Sequence, residues 1–309
     1  MVLILLLYFC LACGFAFGKA ALASMPPLLF VGIRMSIAGL ILVAYQLFFK
    51  KERLHIQPEH RTLFAGICLF HIYASYALEY WAMQYISSFK ASLLYNLSPF
   101  VTALVAYFFA DEIMNKRKWV GLIVGFIGML PILITSESGE HGTELFTRIS
   151  YAEAALIGSV VCASVGWIFM KKLVYLYNYS PVTINGLSMV VGGGMALVTS
   201  FLLEKWPATS LSEGEIFSNG LMNAFFYMFL LILLCNIISY NLYGFLLRSY
   251  SATFLSFAGF LTPLFTALLS SLFFGQTPSV PFFVSVAIVG YGLYLFYGQE
   301  TILEQEKAA

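Results

Sequence analysis

Apolar stretches with few charges, each about as long as a membrane is thick, recur along this 309-residue chain, and no other feature constrains its fold as strongly. A helix needs roughly 20 apolar residues to cross the hydrocarbon core. Breaks set by charge, Gly and Pro place ten such stretches near 2–23, 28–49, 62–82, 90–110, 118–135, 151–171, 181–203, 221–245, 252–274 and 279–297. Lipid offers no partner to a bare backbone amide, so such stretches close their hydrogen bonds within themselves as helices. Composition agrees: 10% of residues are charged, against about 25% in a typical soluble domain. The expected fold class is an all-α membrane protein with ten transmembrane helices. The first stretch lacks the positive leader of a signal peptide and a second span follows at once, so it reads as a helix that stays. The longest polar segments, 136–150 and 204–220, are loop-sized and hold no soluble domain.

The Lys and Arg residues divide unevenly between the two sides. With the N-terminus in the cytoplasm, Lys50, Lys51, Arg53, Arg61, Lys116, Arg117, Lys118, Lys171, Lys172, Arg248 and Lys307 face inward. Only Arg148 and Lys205 face outward, while Lys19, Arg34 and Lys90 lie in or at the ends of spans. That bias predicts cytoplasmic termini on both ends.

The chain also repeats itself. A shift of 164 residues aligns 76–112 with 240–276 without gaps, and ten of the 37 positions are identical. Among them are Tyr76/Tyr240, Ser87/Ser251, Ser92/Ser256, Pro99/Pro263 and Thr102/Thr266. Upstream, "GFAFGK" (14–19) parallels "GWIFMK" (166–171). Two copies of a five-helix unit follow, over 1–135 and 151–299, joined by 136–150 and followed by a tail at 300–309. Five is odd, so the second copy enters the membrane inverted. The loop "DEIMNKRK" of the first copy is basic, and its counterpart "GQTPS" carries no charge, with Gln276 where the first copy has Glu112. That is the change expected of a loop moved to the outer side.

These halves resemble the EamA domains of the drug/metabolite transporter superfamily. The likeness rests on "SPFVTALVAYFFADE", "TPLFTALLSSLFFGQ" and "KWVGLIVGFIGM" (118–129), and it covers almost the whole chain. It implies a secondary transporter of a small metabolite; the family moves amino acids, nucleobases, nucleotide sugars, S-adenosylmethionine and drugs. Replacement of the usual second Glu by Gln276 argues against a symmetric role for the two motif ends. The bacterial inner membrane is the expected location.

An inverted pair of halves places its site near mid-membrane, between them. On the third span His71, Ser75 and Glu79 recur every four residues, flanked by Tyr76 and Tyr80. The eighth carries Asn236, Ser239, Tyr240 and Tyr243. A carboxylate inside a span costs roughly 2.5–3.5 kcal/mol unless it faces protein or water. Glu79 therefore reads as a cavity residue or as an interfacial one near the outer end of its helix. His71 reads as a proton relay or as a packed ring. On the fourth span Tyr95, Asn96, Ser98 and Thr102 surround Pro99, which would leave the Tyr95 carbonyl without its donor; Pro263 does the same on the ninth. Both prolines are candidate hinges, or ordinary packing kinks. Arg34, inside the second span, is placed either to receive a substrate carboxylate or phosphate or to join a structural ion pair. Trp167 is positioned to stack a ring. Lys19 and Lys171, at matching span ends, are expected to snorkel. Gly14/Gly18 and Gly121/Gly125 suit close helix approach. The expected substrate-binding set is Glu79, Tyr76, Tyr95, Asn96, Arg34, Trp167, Asn236, Tyr240 and Tyr243.

Other chemistries find little support. There is no GxxxxGK[ST] for ATP, and no HExxH. His71, Ser75 and Glu79 lie along one helix rather than converging as a triad would. Cys10 and Cys13 lie in an apolar helix without a second ligand pair. No metal or cofactor is expected. The expected partners are a small-molecule substrate and the bilayer, with a homodimer as a further possibility and nucleic acid excluded. A zwitterion with an aromatic part suits Glu79, Arg34 and the tyrosines; amino-acid derivatives and S-adenosylmethionine, exchanged for S-adenosylhomocysteine, both fit. An exporter of amino acids or drugs is the alternative, and an intramembrane enzyme a weaker one.

Overall fold

The computed structural model describes residues 2–22, 24–50, 56–86, 91, 94–109, 115–135, 151–204, 219–262, 264–265, 284, 287–288, 290–292 and 294–296. All regular structure among these residues is helical. Six helices are long and apolar enough to cross a membrane: α1 (Val2–Leu22), α2 (Pro27–Lys50), α3 (Pro58–Ala82), α6 (Tyr151–Leu176), α7 (Pro181–Leu203) and α8 (Met222–Leu246). Three further helices are α4 (Ser98–Phe109), α5 (Lys116–Thr135) and α9 (Ala252–Ala258). Most of the last expected span, and the charge-bearing loop ends at Glu112 and Gln276, lie outside the described residues.

Helices α2 and α7 both open on proline, Pro27 and Pro181, where a fixed φ helps and a missing N–H costs nothing. They pack antiparallel along a seam of small residues. A Cβ at Gly39 would lie 2.6 Å from the Val190 amide nitrogen, and one at Gly193 would lie 2.7 Å from that of Ser36. Only glycine lets these backbones approach so closely. The contacts are reciprocal: Gly39 and Gly193 are 154 residues apart, as are Ser36 and Val190. The seam is fastened at both ends. The Glu204 carboxylate accepts from the Leu28 and Leu29 amides (2.8 and 2.9 Å) and from Ser200 Oγ (2.7 Å). At the other end Gln46 Nε2 donates to Thr183 Oγ1 at 2.7 Å.

The two matched lysines bond to carbonyls at helix ends. Lys19 Nζ donates to the Met83 carbonyl and, at 3.0 Å, to that of Ile86. Lys171 Nζ donates to the Tyr250 carbonyl at 2.5 Å. Ile86 and Tyr250 are 164 residues apart, each just past the end of the helix in question, α3 or α8. An ammonium there satisfies carbonyls that the helix leaves bare and meets the negative end of its dipole.

Helices α3 and α8 each contain a widened π-helical stretch, Ile67–Ala74 and Ile232–Ser239. Such turns close on the fifth residue instead of the fourth, so faces rotate relative to an α-helix. The fourth span is broken rather than merely bent. Residues Asn96 and Leu97 form a turn, and α4 starts afresh at Ser98, with Pro99 as its second residue. The expected mid-helix kink is thus a helix start, where proline is tolerated best. The ninth span breaks at the matching place: α9 ends at Ala258, a turn follows at Gly259 and Phe260, and helix resumes at Leu261 and Thr262. Pro263 lies outside the described residues. Beneath α9, Phe254, Phe257 and Phe260 join Phe296 in a buried aromatic cluster.

Candidate functional site

A cavity of about 950 Å³, its mouth included, opens between α1, α2, α3, α6, α8 and the two broken helices. Each wall follows from local structure. The α-helical turns after the π-stretches, Ser75–Ala82 and Tyr240–Leu246, present Tyr76, Glu79 and Tyr80 from α3 and Tyr240 and Tyr243 from α8. Arg34 comes from α2, Trp167 from α6, and Tyr8 and Phe15 from α1. The breaks contribute Tyr95, Asn96, Ser98 and Pro99 on one side and Gly259 and Thr262 on the other.

Aromatic rings form one continuous wall. The Tyr240 hydroxyl donates to the Tyr76 hydroxyl at 2.6 Å, joining two residues that are partners in the sequence repeat. Trp167 stacks on Tyr243 with centroids 3.7 Å apart and an interplanar angle of 22°, and lies 5.2 Å from Tyr240. Tyr76 stacks in turn on Tyr80 at 6.0 Å. Tyr8 is fixed by its hydroxyl bond to the Leu255 carbonyl, which ties α1 to α9.

Two charged groups share this cavity without pairing. Arg34 is 1% exposed, and its Nη1 donates to the Tyr80 hydroxyl at 2.7 Å. Its guanidinium carbon lies 4.9 Å from the Tyr76 ring, 5.0 Å from Tyr80 and 5.3 Å from Phe30. Glu79, on the next turn of the same wall, is buried at 8% exposure. Among the described residues neither makes an ion pair. Asn96 adds a buried amide whose Nδ2 has no hydrogen-bond partner among them. At the base, Ser98 Oγ lies 2.7 Å from Ser256 Oγ, and Thr102 Oγ1 lies 2.9 Å from Ser164 Oγ and 3.2 Å from Ser256 Oγ.

The sequence-derived set thus meets at one place, with one member set apart. Glu79, Tyr76, Tyr95, Asn96, Arg34, Trp167, Tyr240, Tyr243 and Pro99 all line the cavity. Asn236 does not; it is fully buried, with its Nδ2 3.1 Å from Met35 Sδ. His71 also stands behind the wall, its ring 4.2 Å from Trp167 and pressed against Gly166. Ser75 is directed to Ser159 at 3.2 Å rather than to His71. Sequence reasoning passed over Tyr8, Ser164 and Ser256. A signal existed for Ser256, which is identical to its repeat partner Ser92. Tyr8 and Ser164 gave none beyond being polar groups inside apolar spans.

The comparisons with known proteins converge on transport. The profile of the EamA-like transporter family matches residues 1–134 and 150–298. A Chlamydia muridarum protein named S-adenosylmethionine/S-adenosylhomocysteine transporter is 30% identical over 299 residues, which span 96% of this chain and 91% of that protein. A Chlamydia trachomatis serovar L2 protein of the same name is 29% identical over 96% and 89% of the two chains. A crystal structure with 16% identity superposes at a TM-score of 0.74 over 98% of both chains, which extends the likeness of fold. On this match along nearly its whole length, the chain belongs to the EamA-like transporter family and is a membrane transporter, not an enzyme.

Proposed function

We propose that this chain is a secondary transporter that exchanges S-adenosylmethionine for S-adenosylhomocysteine by alternating access around the central cavity. The observation that carries the reading is one buried cation and one buried carboxylate, unpaired with each other, in a cavity walled by aromatic rings. Both ligands present the complement: an α-amino-acid end with both signs of charge, and an adenine ring. The sulfonium of S-adenosylmethionine is a cation suited to ring faces. The neutral thioether left after methyl transfer also packs well against rings. One wall therefore accepts both partners of an exchange. Adenine is assigned to Trp167, Tyr240 and Tyr243, and Asn96 and Tyr95 to its polar edge. The two Chlamydia relatives bear names of that activity, which supports the same reading.

Alternating access needs two interchangeable halves, and several contacts support ten helices arranged as two inverted five-helix repeats. The α2–α7 seam is reciprocal at Gly39 and Gly193. Lys19 and Lys171 cap matching helix ends. The breaks before Pro99 and after Ala258 fall 164 residues apart to within one position. In this reading the halves are 1–135 and 151–299, Pro99 and Pro263 flank the hinges, both termini are cytoplasmic, and the membrane is a bacterial inner membrane.

Liposomes carrying the purified protein test the proposal. Uptake of labelled S-adenosylmethionine should rise when S-adenosylhomocysteine is loaded inside, and Glu79→Gln should abolish the rise. Flux of a free amino acid in place of both compounds would overturn the substrate and leave a transporter.

A further inference from the structure

Arg34 has one face held and one face free. Nη1 is bonded to the Tyr80 hydroxyl, whereas Nε and Nη2 have no hydrogen-bond partner among the described residues. Those two nitrogens form the side-on edge of the guanidinium, where two parallel N–H groups fit the two oxygens of a carboxylate. The edge is also shut off from water, because both atoms are fully buried. A permanent cation with two bare donors inside a span is costly, and such charges persist where they serve a pathway or a ligand.

We propose that the Nε–Nη2 edge of Arg34 is the receptor for the substrate's α-carboxylate, and that Tyr80 is the positioning residue that holds this edge toward the cavity. The assignment rests on the exchange reading above and deepens it. A carboxylate is favoured over a phosphate by Glu79, which lines the same cavity and would repel a dianion. One cation and one carboxylate instead match a zwitterion, with the substrate's ammonium directed to Glu79. Rings of Phe30, Tyr76 and Tyr80 surround the guanidinium, so seating the carboxylate requires that cover to part. The ring path from Tyr76 through Tyr240 to Trp167 then carries the rest of the molecule toward α6 and α8. Ligand orientation follows: amino-acid end at α2 and α3, adenine end at α6 and α8.

The repeat sharpens the argument. Arg34 corresponds to Ser188 on α7 and Glu79 to Tyr243 on α8, at spacings of 154 and 164 residues. Ser188 Oγ donates to its own helix at the Ile184 carbonyl, and Tyr243 stacks on Trp167. Both charge-reading groups thus sit in the first half, and their counterparts in the second carry no charge. A symmetric cavity would accept the ligand in two opposite orientations; this one accepts a single orientation.

The test compares ligands before it compares variants. Competition against labelled S-adenosylhomocysteine is measured in proteoliposomes with S-adenosylmethionine, its decarboxylated analogue and 5′-methylthioadenosine. The wild type should prefer S-adenosylmethionine to the decarboxylated analogue by about 10- to 100-fold, the range of one or two charge-assisted hydrogen bonds. Arg34→Gln should weaken S-adenosylmethionine by that factor and leave the decarboxylated analogue's inhibition constant nearly unchanged, erasing the preference. Tyr80→Phe, which keeps the ring, should erase part of it. A wild type indifferent to the carboxylate, or an Arg34→Gln protein that keeps its preference, overturns the assignment and leaves the exchange reading standing. Absence of any adenosyl-compound flux in the wild type overturns the exchange reading, and the assignment with it. If Arg34→Gln fails to fold, the wild-type ligand series and Tyr80→Phe decide the question.

Discussion

Trp167 is the residue whose surroundings say most about what it does. One face of its indole is stacked on Tyr243, and its neighbours include Tyr240, His71 and the cavity. An aromatic pair contributes about 0.5–1.5 kcal/mol beyond burial. Trp167→Ala should therefore raise the half-saturating concentration of an adenosyl substrate by several-fold to about tenfold, while Trp167→Phe should recover most of the loss; concentration-dependent uptake checks both. At this scale much of the candidate site was legible. A carboxylate and an arginine inside apolar spans are conspicuous because the bilayer penalises them, and Tyr76 and Tyr240 stood out as repeat partners. Asn236 was not legible, and for His71 the packed reading is the one the fold supports. Both lie in π-helical stretches, where four-residue spacing no longer keeps a residue on the face of its neighbours. Asn236 accordingly turns toward Met35 on α2, away from the face that carries Tyr240.

Among the described elements, the α2–α7 pair is the closest joint. At Gly39 a methyl group would meet the Val190 amide and the Gly186 carbonyl, both backbone atoms that cannot swing aside. Overpacking of this kind costs about 1–3 kcal/mol. Gly39→Ala should lower the thermal unfolding midpoint in detergent, and Gly39→Leu should prevent assembly. Gly194, one residue past the seam glycine Gly193, has nothing within 4 Å of its would-be Cβ, so Gly194→Ala should leave the midpoint unchanged or raise it. Spans of this kind were readable because hydropathy is a bulk property of twenty residues. What proline does inside a span was not, since a kink and a fresh helix start share the same local sequence; the choice depends on what the freed backbone meets. Here the break borders the cavity through Tyr95, Asn96, Ser98 and Pro99. The carbonyl partners of the lysines at the ends of α1 and α6 were not readable for a similar reason, because only the packing of α3 and α8 brings those carbonyls within reach.

Over the whole molecule, the proposed topology joins the positive-charge bias of the sequence to an odd number of helices per repeat. Reporter tags at residue 1 and residue 309 should both lie in the cytoplasm, and a tag inserted between 136 and 150 should lie outside; protease access in spheroplasts separates these outcomes. The cavity's charged groups, Arg34 and Glu79, sit in the first half of the chain and its stacked tryptophan, Trp167, in the second, so the groups that would recognise the ligand are divided unevenly along the sequence. The central claim is exchange. Its most direct measurement is counterflow: liposomes loaded with unlabelled S-adenosylhomocysteine and diluted into labelled S-adenosylmethionine. Label should accumulate transiently above its outside concentration in wild-type vesicles and not in Glu79→Gln vesicles. Label that only equilibrates, at the same rate with or without the internal compound, would contradict exchange through this cavity.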